Sequence, residues 1–268
     1  MILAPVRRSS RLALADRDAR RPRALRDRDA VRALLAKEVA ELGRLQERLF
    51  AGKRHALLVV LQGRDASGKD GTIKNVFDGC NPLGCRVTSF GVPTDLERSH
   101  DFLWRVHAAV PPLGYIGIFN RSHYEDVLAV RAKKLAPRAV WGARFEQINA
   151  FERMLSLNGV TILKFFLHIS RAEQRERLID RLEDPEENWK FRAGDLDDRR
   201  MWGAYTRAYR DALRKCTTRW APWFVVPADS KTVRNYLVIR IINQALQGLR
   251  LRFPKVGADV LALKGKIR

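Results

Sequence analysis

Between Asp29 and Phe50 the apolar residues Val31, Leu34, Leu35, Val39, Leu42, Leu45 and Leu49 recur mostly at three- and four-residue intervals. That spacing places them on one face of a helix, and Gly52 supplies its stop. The pattern then changes. Ala56–Gln62 (ALLVVLQ) is apolar without alternation, as a strand buried on both faces requires. Similar runs recur at Arg86–Phe90, Tyr115–Phe119, Val160–Ile169 and Trp223–Val226. Helical segments are predicted between and after them, at His100–Ala109, Arg144–Leu157, Arg171–Leu182, Arg199–Lys215 and Lys231–Leu251. Alternating strand and helix predict an α/β fold, a central and mainly parallel sheet with helices on both faces. Such sheets bind ligands in the crevice beyond the carboxyl ends of their strands. Residues 1–28 lack hydrophobic periodicity and read as a basic N-terminal arm.

At 268 residues the chain suffices for one large domain, or a core with an appended lid. Charge adds something the pattern does not. Lys plus Arg outnumber Asp plus Glu by 51 to 30, a formal net charge of +21. A field of that sign favours polyanionic partners, although a solvated basic surface alone would also produce it. Cys80, Cys85 and Cys216 are an odd count without CxxC spacing, so they suggest neither a disulfide framework nor a zinc site. They read as reduced thiols of a cytoplasmic protein. No apolar run has the length of a membrane span, and Met1–Val6 is too short for a secretory core segment.

The first apolar strand leads directly into Gly63-Arg64-Asp65-Ala66-Ser67-Gly68-Lys69-Asp70, then Gly71-Thr72-Ile73-Lys74 opening a helix. This fits GxxxxGK in a strand–loop–helix context. Gly63 and Gly68 permit a tight path on which successive N–H groups, from Arg64 and Ala66 through Ser67 to Asp70, Gly71 and Thr72, can face phosphate oxygens. The helix adds its positive end, and the Lys69 ammonium can bridge phosphates. Position 70 is Asp, where a metal-binding hydroxyl is usual. Asp70 reads as a first-turn acid that complements the helix dipole. Asp65 places a carboxylate inside a loop built for anions, which points to an intervening cation and so to a Mg²⁺–phosphate unit; the alternative is a turn-forming Asp bonded to the loop backbone.

The third strand delivers Phe119-Asn120-Arg121-Ser122-His123-Tyr124-Glu125-Asp126-Val127 to the same edge. Arg121 can fork onto phosphate oxygens, or else form a structural pair with Glu125 or Asp126. His123 reads as a core or surface histidine, because phosphoryl transfer relies on positioning and charge rather than a base. After the fourth strand, Ser170 can cap a helix carrying Arg171, Arg175, Arg177 and Arg181. Residues 171 and 175 share one face and 177 and 181 another, so the four arginines cannot all reach one phosphate. Leu182–Phe191, with a Pro break and an aromatic-bearing turn, completes a hinged lid over about 171–195.

Taken together, GRDASGKDGTIK (63–74), NPLGCRVTSF (81–90), SHDFLWR (99–105), IFNRSHYEDV (118–127), KFFLHIS (164–170), RLEDPEENWKF (181–191) and WAPWFVVPAD (220–229) resemble family-2 polyphosphate kinases. The resemblance runs in order from about residue 30 to 254, leaving the arm and a C-terminal tail at 255–268. It implies a P-loop kinase fold with a helical lid, Mg²⁺ as cofactor, and reversible phosphoryl transfer between inorganic polyphosphate and nucleotides. It also implies a homodimer or homotetramer. By motif it gives catalytic roles to Asp65 and Lys69, with Asp65 at the metal, and a phosphate-binding role to Arg121. Arg171, Arg175 and Arg177 fall in the lid. Many relatives have Asp where this chain has Asn120; an Asn keeps an oxygen ligand and gives up the negative charge. FNRS with Glu125 and SHDFLWR is more similar to the subgroup that accepts both AMP and ADP, with ATP as the final product. Adenine over guanine rests on the resemblance alone.

Polyphosphate would then lie along Lys69, Lys74 and Arg121, with its terminal phosphate at the loop. Two rivals stand beside this reading. An ATP-dependent nucleoside or nucleoside-monophosphate kinase would share the fold but not need so broad a positive field. A nucleic-acid-binding protein would share the charge, but no recognition-helix motif, RNP-like strand or zinc spacing is present.

Overall fold

The computed structural model of the chain describes residues 3–267. Helix α1 (Arg28–Gly52) starts at Asp27, whose carboxylate accepts from the Asp29 and Ala30 N–H groups. Strands β1 (Ala56–Gly63), β2 (Cys85–Ser89), β3 (Ile116–Asn120), β4 (Val160–His168) and β5 (Trp223–Pro227) form one sheet in the order β2-β3-β1-β4-β5. All four pairings are parallel. Helices α2 (Lys69–Val76), α3 (Asp95–Ser99) and α4 (Trp104–Ala108) precede β3. Helices α5 (Ala129–Ala132) and α6 (Arg138–Leu157) lead to β4. Between β4 and β5 run α7 (Arg171–Glu183), α8 (Ala193–Arg200) and α9 (Trp202–Lys215). Helices α10 (Lys231–Gly248) and α11 (Ala258–Ala262) follow β5.

Side chains along β1 alternate between two cores. Leu58 and Val60 meet Phe145 and Ile148 of α6 and Tyr209 of α9. Leu57, Val59 and Leu61 meet Leu42, Leu45 and Leu49 of α1 and Val238 and Ile242 of α10. This is why the run is apolar without alternation. With β1 central, its carboxyl end at Gly63 lies beside those of β3 and β4.

The expected strands match to within a residue or so; the helices differ more. The helix expected at 100–109 is only the short α4, preceded by a separate helix α3, because the Asp101 carboxylate takes the Leu103 N–H and starts a new turn. Helix α6 begins at Arg138, six residues early by the apolar pattern, after Pro137 with φ −60°. The helix expected from Arg199 is preceded by α8 and itself begins at Trp202.

The N-terminal segment runs beside edge strand β5. Val6 N–H donates to Trp223 O at 2.8 Å, at the start of β5, and Asp229 N–H donates to Ala19 O at 3.2 Å, just past its end. His168 Nε2 meets Ala15 O at 2.9 Å, and Leu14, Ala19 and Leu25 are buried. Backbone carbonyls do most of this pinning, so side-chain periodicity carries no trace of it, and the open sheet edge is covered.

Candidate active site

Gly63 ends β1 with no room for a side chain, since Ser67 Oγ and Leu167 O occupy the space where a Cβ would stand. The chain then turns tightly, Ser67 N–H donating to Arg64 O at 3.1 Å. Ala66 (φ 60°) and Gly68 (φ 92°) both adopt left-handed backbone. For Gly that is free, whereas for Ala66 it stores strain of about 1–3 kcal/mol, of the kind found at functional sites. Helix α2 begins immediately. Among the described residues the N–H groups of Gly68, Lys69, Asp70 and Gly71 have no acceptor, the first intrahelical bond being Thr72 N–H to Gly68 O at 2.9 Å. Those orphan donors and the helix's positive end make an anion cradle.

Lys69 lies across this cradle, buried, with Nζ donating to Gly63 O (3.0 Å) and Arg64 O (3.3 Å). Burial, reinforced by the nearby Arg121 charge, lowers its pKa. Asp65 faces Arg121, whose guanidinium donates to Asp65 Oδ1 at 2.6 Å. Arg121 itself has left-handed backbone (φ 63°), and its N–H donates to Leu61 O at 3.0 Å, so β1 and β3 together aim it over the loop. Burial works against its cation, but the Glu125 and Asp65 carboxylates outweigh that and raise its pKa. Neither carboxylate that the sequence offered as a partner forms an ion pair with Arg121 among the described residues: Arg121 pairs with Asp65, and Asp126 takes Arg144 at 2.8 Å.

Glu125 sits behind this pair, and burial raises its pKa above the ordinary carboxyl range. The Gln62 amide, oriented to satisfy both neighbours, donates to Glu125 Oε1 (3.0 Å) and accepts from Ser122 Oγ (3.1 Å). Asn120 Nδ2 donates to Asp70 Oδ1 at 2.7 Å, so Asp70 is both a first-turn acid and a tether to β3.

Several expected phosphate ligands point elsewhere. The Arg64 guanidinium lies 3.9 Å over the Trp202 ring and donates to Thr206 Oγ1 at 2.5 Å, tying α9 to the loop. Ser67 is buried against Gly63, and the Thr72 hydroxyl donates to Gly68 O at 3.0 Å. Lys74 is exposed in the last turn of α2. The four arginines of α7 divide as their spacing predicts. Arg171 and Arg175 are exposed, and Arg181 lies 3.7 Å from Asp195 of α8. Arg177 is buried under the loop, donating to Ala66 O (3.1 Å), Ala228 O (2.8 Å) and Asp229 O (2.9 Å), with Glu173 at 2.8 Å. Its guanidinium therefore serves the loop backbone rather than a lid surface.

Sequence reading missed three supports. Gln174 Nε2 donates to Asp65 O at 3.0 Å. Arg234 of α10 donates to Ser67 O at 3.3 Å; the available signal was an Arg one helical turn from Val238 and two from Ile241, on an apolar face. Lys164 of β4 donates to Glu152 Oε2 (2.5 Å), Tyr124 Oη (2.7 Å) and Cys216 O (2.7 Å), while Tyr124 Oη donates to Glu152 Oε1 (2.8 Å). This buried tie anchors the turn after β3, and His123 belongs to it at 3.3 Å from Glu152 Oε1, as a core histidine.

An anion cradle between strand and helix at the carboxyl end of the central strand of a parallel sheet, met by an arginine from the neighbouring strand, is the arrangement of a P-loop kinase fold. Its family follows from comparison. Residues 25–253 match the model of polyphosphate kinase 2. The chain is 57% identical over 214 residues to the AMP/ADP-polyphosphate phosphotransferase of Meiothermus ruber, covering 80% of each chain. It is 42% identical over 234 residues to the ADP-polyphosphate phosphotransferase of Rhodopseudomonas palustris, covering 83% of this chain and 81% of that one. The crystal structure of polyphosphate kinase 2 from Arthrobacter aurescens superposes with a TM-score of 0.86 at 43% identity, covering 89% and 86% of the two chains. The chain belongs to the polyphosphate kinase 2 family. No helix among its described residues is long and apolar enough to cross a membrane.

Proposed function

We propose that this chain transfers phosphoryl groups between inorganic polyphosphate and adenine nucleotides, accepting both AMP and ADP, in the cytoplasm and as a homodimer or homotetramer. The observation that carries the reading is the cradle itself: four consecutive N–H groups without acceptors among the described residues, closed by the buried Lys69 ammonium. The 57% identical relative, named for both acceptors, supports dual use.

The terminal phosphate of polyphosphate occupies the cradle, and the chain beyond it follows the basic surface past Arg121 and Lys74. Arg121 leaves Asp65 far enough to share its fork with phosphate oxygens. Arg171, Arg175 and Arg181 on α7 are the lid-side charges, and the acceptor's terminal oxygen attacks in line. No protein nucleophile is needed, since positioning and charge stabilisation suffice.

The donor set fits Mg²⁺. Among the described residues no three His, Cys, Asp or Glu side chains cluster into a metal cage, and Mg²⁺ normally takes only one or two carboxylates together with substrate phosphates. Asp65 and Asp70, both near enough to Lys69 to act on its charge, with Asn120 bonded to Asp70, meet that description. The ion would supply charge neutralisation on the phosphate oxygens.

The test offers AMP, ADP, GMP and GDP separately with Mg²⁺ and long-chain polyphosphate, resolving products by chromatography. ADP followed by ATP from AMP is expected. Product from a diphosphate only overturns dual use, and no transfer by folded protein from any acceptor overturns the whole reading.

A further inference from the structure

Two buried guanidiniums lie beneath the phosphate loop, and they are not equivalent. Arg177 has a carboxylate partner, Glu173, at 2.8 Å. Arg234, which is only 2% exposed, has none among the described residues. Its hydrogen bonds among the described residues go to neutral acceptors, Asn235 Oδ1 (3.1 and 2.9 Å) and Ser67 O (3.3 Å). Burial, with the like charge of Arg177 added, pushes the Arg234 pKa down to about 9. A buried cation without a counter-ion is costly, and folds rarely keep one without a use.

Its position shows the use. The guanidinium fills the space on which a Gly68 side chain would project. It also holds the Ser67 carbonyl from the α10 side. In a trans peptide the carbonyl and the following N–H point in opposite directions. With Ser67 O drawn toward α10, the Gly68 N–H is turned the other way, into the cradle. Arg177 draws the preceding carbonyl, Ala66 O, in the same manner.

We propose that Arg234 is a positioning residue for the transferred phosphate, one that fixes the Gly68 N–H and stores beneath the loop a positive charge that only a bound phosphate balances. The inference rests on the loop being the phosphate site, and it adds a counter-charge outside the GxxxxGK motif. It has an unusual consequence. Removing the charge should make the empty protein no less stable while weakening its hold on polyphosphate, because the empty loop alone bears the unbalanced cation.

Tripolyphosphate without nucleotide is the probe, with Kd from calorimetry and Tm from thermal unfolding. Three variants separate the roles: Arg234→Met removes charge and donors, Arg234→Gln keeps a donor for Ser67 O, and Arg234→Lys keeps the charge. Arg234→Met should match or exceed the wild-type Tm when empty, with Kd raised at least tenfold and the ligand-induced rise in Tm at least halved. Arg234→Gln should bind nearly as weakly, and Arg234→Lys should return to within about threefold of wild type. If Arg234→Met does not fold, the Gln and Lys pair decides alone. Arg234→Gln binding as wild type does, or Arg234→Met losing stability with Kd unchanged, makes Arg234 an ordinary structural residue. Failure of the wild type itself to bind tripolyphosphate would instead remove the phosphate-site reading and this one with it.

Discussion

The molecule holds two clusters of buried charge on neighbouring strands, built to opposite plans. Around Lys164 every charge is answered: the ammonium has a carboxylate, a phenol and a carbonyl, and Glu152 takes the remaining protons from Tyr124 and His123. Burial alone would raise Glu152, yet Lys164 and His123 together outweigh it and hold the carboxyl below its ordinary value. Around the loop, positive charge is in excess. Among the described residues Lys69 donates only to carbonyls and Arg234 only to neutral acceptors, and four backbone N–H groups have no acceptor. A closed network holds structure together, whereas an open one is complete only with an anion in it. Charge in the interior is thus no mark of function in itself; its imbalance is.

The sharpest break of the contrast is at Lys164. Lys164→Met leaves Glu152 buried and unpaired, and should cost about 3–5 kcal/mol of stability in urea unfolding. Lys164→Met with Glu152→Leu should recover most of that, because a whole buried pair can be exchanged for apolar groups nearly neutrally. A double variant as unstable as the single would mean that the tie holds more than its own charges.

Next comes the open cluster. Lys69→Ala, and separately Asp65→Asn, should lower turnover on the order of 10²–10³-fold, the scale of losing one preorganised charge. Lys69→Ala should leave the Tm unchanged or raised. Near-normal turnover in either folded variant would remove these residues from the reaction, and a large loss of Tm in Lys69→Ala would make the two clusters alike.

The open cluster was mostly legible in sequence because it is local. Gly63 to Lys69 is one continuous segment, and the apolar run before it places the loop at a sheet edge. Arg121 was legible for the same reason, as the residue just past another buried strand. What escaped was whatever depends on three-dimensional meeting. The pairing of Asp65 with Arg121 spans 56 residues, that of Arg64 with Thr206 spans 142, and that of Arg234 with Ser67 spans 167. Arg177 was expected on the lid because helical spacing says which residues share a face, not which face is buried. The closed tie escaped entirely. Lys164 sits in the otherwise apolar run of β4, and its partner Glu152 lies on the buried side of α6.

The smallest effect expected is at Glu125, which lies between the two plans: a carboxylate beside the cations of the open cluster, but recessed enough that burial dominates and raises its pKa. A carboxyl whose folded pKa exceeds its unfolded value contributes favourably below the unfolded value, and that contribution disappears as pH rises through the folded one. The ionised group is therefore a net cost to the folded state at neutral pH. Glu125→Gln carries no charge at any pH and keeps the shape. Its Tm should exceed that of the wild type at pH 8, and the gap should close as the solution is acidified to about pH 4, near the ordinary carboxyl range. Turnover should fall by less than in Lys69→Ala, since Arg121 keeps Asp65. A Tm gap of constant size across that range would mean that titration is not its source. A gap of opposite sign at pH 8 would place Glu125 with Glu152, as a carboxylate the fold needs charged.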